Sequence, residues 1–272
     1  MNEAPPFEEI RSSNLGVRVA TTAWEVTAAQ ALRYRVFYEE MGARADATTT
    51  ATGLDADAYD AVADHLLVVD HDRGEGPESV VGTYRLIRRA AAERLGRFYS
   101  EDEYDITGIL NYPDGILELG RSCTDIAYRT RGTLQLLWRG IAAYVYNHKI
   151  GLMFGCASLP GTNLDANAAQ LSYLAHHHQA PAQLCPRAIE ARYLTMDRLP
   201  RGSYDAKAAL LSLPPLIKGY LRLGGFVGDG AVLDAQFNTT DVAIVVMTDQ
   251  ITDKYFKHYE RKAGWDGNDR AA

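Results

Sequence analysis

Apolar positions along this chain recur at every second residue in some stretches and at every third or fourth in others, so strands and helices alternate. Leu15 to Ala20 alternates as a first strand. Thr27 and Gln30 stand at capping-box spacing and predict a helix reaching about Met41, closed by Gly42. The polar stretch Ala43 to Gly53, containing ATTTATG, predicts a mobile loop. His65 to Asp70 and Val80 to Ile87, joined by DRGEGPES, predict an antiparallel hairpin. Arg88 to Tyr99, rich in arginine and alanine, predicts a helix or a basic excursion.

The clearest unit follows. A short strand through Gly115, Ile116 and Leu117 leads into a turn, and then Leu134, Leu137, Trp138, Ile141 and Val145 fall at i, i+3, i+4, i+7 and i+11, one apolar helical stripe stopped by Gly151. A strand over Leu152 to Ala157 and helices over about Leu164 to Ala175 and Pro214 to Leu223 come next. Gly224 and Gly225 end the second of these helices. A last strand spans Val242 to Met247, and Thr252 is placed to cap a final helix to about Lys262. No internal repeat is present.

Composition narrows the class. With 272 residues, 47% of them hydrophobic, the chain can bury a real core. Its apolar runs, such as Leu66 to Val69, fall far short of the roughly 18 residues of a membrane span, and its acidic start lacks a signal peptide's basic and apolar regions. A cytoplasmic protein is expected. Three cysteines without metal spacing argue against a disulfide or zinc framework, and a net charge of -7 argues against a general nucleic-acid binder.

Candidate chemistry gathers at the strand, turn and helix around residues 115–151. The strand carries Glu118, Arg121 and Cys123, and the turn places Arg129 and Arg131 around Thr130, just before Gly132 and Thr133. Unpaired N–H groups and the positive end of the helix dipole make such an opening an anion site, suited to a pyrophosphate or a phosphopantetheine phosphate. Other signals have plainer readings. His65 and Asp70 are five positions apart on a predicted strand and so face opposite sides. His176, His177 and His178 suit the negative end of a helix better than a metal, and Cys123 reads as a packed thiol.

The segments LRYRVFYEEMG, VVGTYRLIR, LELGRSC, YRTRGTLQLLWRGIAAY, FGCASLPGT and LPPLIKGYLRLGGFVGDGAVLDAQFNTTDV resemble the bacterial ornithine N-alpha-acyltransferases of ornithine-lipid synthesis, members of the GNAT acyltransferase fold. The resemblance implies an α/β (α+β) architecture with a central mixed, mostly antiparallel twisted sheet flanked by helices. It also implies a single domain over residues 15–262, with tails at 1–14 and 263–272. The implied activity is transfer of a 3-hydroxyacyl chain from acyl carrier protein to the α-amine of L-ornithine, giving lyso-ornithine lipid. The acyl-phosphopantetheine arm is the donor, and no cofactor or metal is permanently bound. The amphiphilic product adds an expectation of peripheral contact with the inner membrane.

A more distant likeness to acyl-homoserine-lactone synthases supplies counterparts at Arg33 and Phe37, at Asp57 and Asp60, at Arg85, and at Glu118 with Arg121. The chemistry asks for the same residue types. A guanidinium from Arg33, Arg85 or Arg121 suits the acceptor's carboxylate, and Asp57 or Asp60 its second amine. Glu118 is the expected base for the attacking amine, directly or through a water. Backbone N–H groups of its strand would meet the oxyanion if that strand splays from its neighbour. Tyr220 resembles the tyrosine that many GNAT enzymes place near the departing thiolate.

The expected phosphate-binding residues are Arg129, Arg131, Gly132 and Thr133. Leu134, where the GNAT turn usually has a small residue, crowds a full coenzyme A pyrophosphate and favours a carrier-protein arm. Arg88, Arg89, Arg94, Arg97, Arg129, Arg131 and Arg139 are then expected to form one basic face for the acidic carrier. Two alternatives stay open. One is a same-fold acyltransferase for glycine, glutamine, lysine or S-adenosylmethionine, and the other is a non-catalytic carrier-protein binding module.

Overall fold

In a computed structural model of the protein, residues 7–248 are described. The strands are β1 (Ile10–Ser12), β2 (Leu15–Val19), β3 (Asp64–Asp70), β4 (Val80–Arg88), β5 (Tyr104–Asp105), β6 (Gly115–Thr124), β7 (Ile150–Pro160), β8 (Arg187–Ala188), β9 (Phe226–Asp234) and β10 (Thr239–Met247). They form one sheet in the order β1-β2-β3-β4-β6-β7-β10-β9-β8-β5. Pairing is antiparallel except for β6 with β7 and β8 with β9, so the expected mixed, mostly antiparallel sheet is present.

The helices are α1 (Ala23–Tyr34), α2 (Ala47–Thr52), α3 (Arg89–Leu95), α4 (Thr107–Leu110), α5 (Arg131–Asn147), α6 (Ala168–His177), α7 (Ala206–Ser212) and α8 (Pro215–Arg222). Side-chain alternation along the central strands assigns them to two faces. Leu117, Leu119, Met153 and Ile244 point to the core that holds Leu137, Ile141, Ile217 and Leu171 of α5, α8 and α6. Ile116, Leu152, Phe154 and Val245 point the other way, to Ala91 and Ala92 of α3, and Leu67 and Val69 meet Ala29 and Leu32 of α1 on that same side.

One feature of the sheet positions the site. Parallel pairing of β6 with β7 runs from Gly115↔Ile150 to Glu118↔Phe154 and stops, while β6 stays on β4 as far as Thr124 and β7 stays on β10 as far as Pro160. The two strands therefore part beyond Glu118, as the splay expectation required. At the fork Gly155 lies so near β6 that a Cβ there would sit 2.2 Å from the carbonyl oxygen of Leu119. On β6 a register shift opposite Thr83 to Arg85 leaves an extra residue, and Arg121 takes a positive φ of 51°. Such a bulge re-aims a side chain that regular alternation would send to the other face.

Several expected boundaries move. The first helix starts at Ala23 because Thr22 and Glu25, not Thr27 and Gln30, form its capping box, and it continues as a π-helical segment Arg35–Glu40 before Gly42 turns at φ 75°. The polar stretch after it is not all loop, since Asp46 caps α2 by accepting the Thr49 N–H at 2.7 Å. Residues 1–14, assigned to a tail, include β1, which pairs with β2. The hairpin of β3 and β4 and the long α5 agree with the apolar pattern. Strand β9 and helix α7 were not predicted. The Thr252-capped helix and the tail at 263–272 lie outside the described residues.

Because the Leu119 carbonyl is backbone and cannot swing aside, Gly155→Ala is expected to lower stability by about 1–3 kcal/mol. Urea unfolding of the two proteins measures this, and an unchanged midpoint would show that the fork tolerates a side chain.

Candidate active site

A cavity of about 700 Å³ opens where β6 and β7 part. Leu119 to Thr124 of β6 form one wall, and Cys156, Ala157 and Ser158 of β7 form the other. Val36, Phe37 and Met41 from the π-helical segment and its end cover it, with Leu134, Leu137 and Leu216 adding apolar wall. Such a cleft, largely apolar with a few polar groups, is the usual form of a small-molecule site.

Arg121, aimed by the bulge, enters this cavity. Behind it lies a buried ionic network. Arg33 donates through Nε to Asp55 Oδ2 and through its second amino group to Asp60 Oδ2, both at 2.8 Å. Arg85 reaches Asp57 Oδ1 at 2.6 Å and Asp60 Oδ1 at 3.4 Å. Arg121 stands 3.2 Å from Asp55 through Nε and 3.4 Å from Asp57 through a terminal nitrogen, with the Tyr99 hydroxyl also at 3.3 Å. Burial opposes charge on Asp60, yet Arg33 and Arg85 hold its carboxyl well below the usual range. His65 is buried and does not line the cavity. Burial lowers its pKa, and its Nε2 sits 3.1 Å from the Asp60 carbonyl oxygen.

This network corrects the expected division of labour. Arg33, Asp57, Asp60 and Arg85 do not line the cavity and pair within the network behind it. Among the proposed acceptor residues, Arg121 and Phe37 face it. Asp55 is a full member that the sequence reading missed, although it stands two residues before Asp57.

Glu118 is corrected more sharply. It is 2% exposed, is absent from the cavity walls, and its two oxygens accept the N–H groups of Tyr99 and Ser100, at 2.9 and 2.6 Å, and the Ser100 hydroxyl. The carboxylate thus caps the 3-10 turn Tyr99–Asp102 instead of facing an amine. Burial pushes its pKa up against the lowering effect of those donors.

Tyr220 also stands one layer back. Its hydroxyl pairs with that of Tyr84, its ring packs edge-on against Trp138 at 5.2 Å, and it is Tyr84 of this pair that lines the cavity, together with Tyr99 and Tyr128. Burial, against its hydrogen bonds to Tyr220 and Ser122, pushes Tyr84 up to about 12, so it keeps its proton. Cys123 reaches the wall too, but burial raises its thiol to about 12 and leaves it inert.

The start of α5 lies at the cavity. Thr130 caps it by accepting the Thr133 N–H at 3.2 Å, and Thr130, Arg131 and Thr133 line the wall, with Gly132 exposed between them. Arg129 also lines the wall, with its guanidinium paired to the Glu40 carboxylate and to the Thr124 carbonyl at 3.0 Å. Arg131 has no ion pair among the described residues. The expected single basic face is not formed. Arg89, Arg94 and Arg97 lie on or beside α3, across the sheet from α5, whereas Arg88 pairs with Asp64 next to Tyr144 of α5, and Arg97 pairs with Asp102.

On the β10 and β9 side the cavity meets Glu103, Asp234 and Asp241, which the sequence reading did not single out because 138 positions separate the outermost two. His176 is held by Tyr204 and Asp197 and His178 by Tyr173, in keeping with the structural reading of those histidines.

Removing one member of the buried network leaves its partners uncompensated, so Asp60→Asn is expected to cost about 3–5 kcal/mol at neutral pH. Asp60 has a depressed folded pKa, so its contribution is complete above the unfolded value near 3.8 and is lost as pH falls through the folded one. Denaturation midpoints of the two proteins should therefore converge below about pH 4; a constant gap across that range would contradict the assignment.

Residues 32–139 match the acetyltransferase (GNAT) domain family. The L-ornithine N(alpha)-acyltransferase of Rhizobium meliloti (strain 1021) is 46% identical over 266 residues, covering 96% of this chain and 90% of that protein. The enzyme of the same name from Brucella abortus (strain 2308) is 46% identical, covering 93% of this chain and 91% of that one. The acyl-homoserine lactone synthase MesI aligns over 92% of this chain and 96% of its own at 13% identity and a TM-score of 0.48, too distant to carry residue roles across. With this identity over nearly its whole length, the chain belongs to the L-ornithine Nα-acyltransferase family of GNAT acyltransferases.

Proposed function

We propose that the protein transfers a 3-hydroxyacyl chain from the phosphopantetheine arm of acyl carrier protein to the α-amine of L-ornithine, giving lyso-ornithine lipid. The observation that carries this reading is the apolar cleft between β6 and β7, entered by Arg121 and bordered by the start of α5. The arm's phosphate is placed at Arg131 and the first N–H groups of α5, where helix dipole and guanidinium act together. The acyl chain runs along the Phe37, Leu119 and Leu134 side, and the acceptor's carboxylate meets Arg121.

The amine nitrogen attacks the thioester carbonyl, the C–N bond forms as the C–S bond breaks, and the nitrogen gives up a proton to water in the cleft. Backbone N–H groups of β6 released from β7 beyond Glu118 stabilise the oxyanion. The departing thiolate is protonated through Tyr84, which passes its proton to sulfur as it recovers the one the nitrogen gave to the cleft water and so ends neutral, while Tyr220 hydrogen-bonds it from behind. This moves the acid role by one hydroxyl from the sequence expectation. Peripheral membrane contact is part of this reading because the product is amphiphilic. No helix of the described residues is long and apolar enough to cross a membrane.

Purified protein given ornithine should turn over 3-hydroxyacyl carrier protein faster than the matching coenzyme A thioester. Arg131→Ala should raise the donor KM several-fold while leaving the ornithine KM in place. Equal use of both donors would remove the carrier-protein assignment. Tyr84→Phe should lower kcat about 10–100-fold with little change in either KM; an unaltered kcat would take the proton donor away from Tyr84.

A further inference from the structure

The carboxylates of Glu103, Asp234 and Asp241 converge on the cleft, with one oxygen from each within 4.8 Å of the others. Two elements bring them together. Glu103 ends the 3-10 turn begun at Tyr99, and the other two stand on paired strands β9 and β10 beside their connecting turn. Glu103 is 5% and Asp241 6% exposed, yet Glu103 Oε2 and Asp241 Oδ1 have no hydrogen-bond partner among the described residues. Buried carboxylate oxygens without donors are costly unless a ligand satisfies them.

Local cations do not balance the three. Arg192 meets Glu103 Oε1 at 3.2 Å, and no other ion pair to these carboxylates exists among the described residues. Asp234 spends Oδ1 on the N–H groups of Gln236 and Phe237. Burial and the neighbouring Asp241 push Glu103 up to about 7, and burial raises Asp241 as well. The site wants a cation with several donors, which describes an alkylammonium.

The two elements carrying these acids also hold Arg121. Its guanidinium lies over the ring of Tyr99 at 4.7 Å and over that of Phe237 at 5.1 Å. Tyr99 opens the turn that ends in Glu103, and the Phe237 N–H donates to Asp234. The cleft therefore offers a guanidinium and a carboxylate group on one rigid frame, the reverse of an amino acid with a carboxylate at one end and an ammonium at the other. Resting on the ornithine reading above, we propose that Glu103, Asp241 and Asp234 form the subsite for the acceptor's side-chain ammonium and select a diamino acid over neutral ones. Glu118 then has a task on a different atom from the one expected. By fixing Tyr99 and Ser100 it aims Glu103, which makes it a positioning residue.

The test compares ornithine with norvaline, the same carbon chain without the side-chain amine, at saturating acyl carrier protein, for the wild type, Glu103→Gln and Asp241→Asn. The wild type should favour ornithine by about 100-fold or more in kcat/KM, as expected when a buried polar site loses its partner. Each variant should raise the ornithine KM at least about tenfold, move kcat less, and shrink the ornithine preference by a similar factor. The thermal melt of Asp241→Asn should be no lower than wild type, because the amide removes like-charge repulsion that a purely structural carboxylate would not suffer, whereas Glu103→Gln also gives up its Arg192 pair. Proportional losses on both acceptors, an unchanged ornithine KM in a folded variant, or wild-type activity abolished by EDTA and restored by a divalent metal would overturn the subsite. If one variant does not fold, the other and the wild-type preference decide. Preference for a different diamino acid would retire the ornithine assignment while leaving the subsite standing, whereas equal use of norvaline and ornithine would end the subsite.

Discussion

Everything in this molecule that bears on chemistry follows from two parallel strands that part company. Between Gly115 and Glu118 the β6 backbone is paired with β7, and beyond that point each strand keeps its outer partner and gives up the inner one. Backbone groups released in this way are costly in a sealed interior and useful beside a ligand, since they are strong, obligatory hydrogen-bonding groups. Gly155 lets the strands touch closely before they separate, and the bulge at Arg121 turns a charged side chain toward the opening. The cleft is thus a consequence of sheet geometry, and the side chains around it decide what it accepts.

Charge is distributed with that division in mind. Three arginines and three aspartates, Arg33, Arg85, Arg121, Asp55, Asp57 and Asp60, neutralise one another behind β6, and the cluster presents Arg121 at its edge. Buried ion pairs of this kind are weak evidence for stability but strong determinants of where a guanidinium points. Across the cleft Glu103, Asp241 and Asp234 share a single ion pair among the described residues, from Arg192 to Glu103. Each wall keeps buried polar atoms without a hydrogen-bond partner among the described residues, Arg121 Nε on one and Glu103 Oε2 and Asp241 Oδ1 on the other, and ligand binding is the natural resolution. Glu118, the most conspicuous carboxylate of β6, belongs to the supporting structure of that second wall.

Much of the scaffold was legible from local pattern. The β3 and β4 hairpin, the stripe of α5 and its start at Thr130 are encoded by neighbours within a few residues, where periodicity and capping act. Of the expected site residues, Arg121, Phe37, Arg129, Arg131 and Thr133 line the cavity. What escaped depends on distance in sequence. Whether Arg33 binds a substrate or Asp55 is settled by a contact across 22 positions, and whether Glu118 faces an amine or the Ser100 N–H by one across 18. The acid group of Glu103 and Asp241 has no local signal, and Tyr84 read as an ordinary strand residue until Tyr220 was found behind it. The arginines around α3 and α5 looked like one surface in sequence, but the sheet runs between them.

The central claim is that transfer takes place in the opening between β6 and β7. A crystal structure with a non-hydrolysable acyl-pantetheine analogue and ornithine tests it most directly. The account predicts the thioester mimic lying between the two strands with its carbonyl oxygen against the β6 backbone beyond Glu118, its phosphate at the start of α5, and the acceptor's carboxylate on Arg121. Acyl density on the α3 face of the sheet, or an acceptor bound against the Glu118 carboxylate, would contradict it.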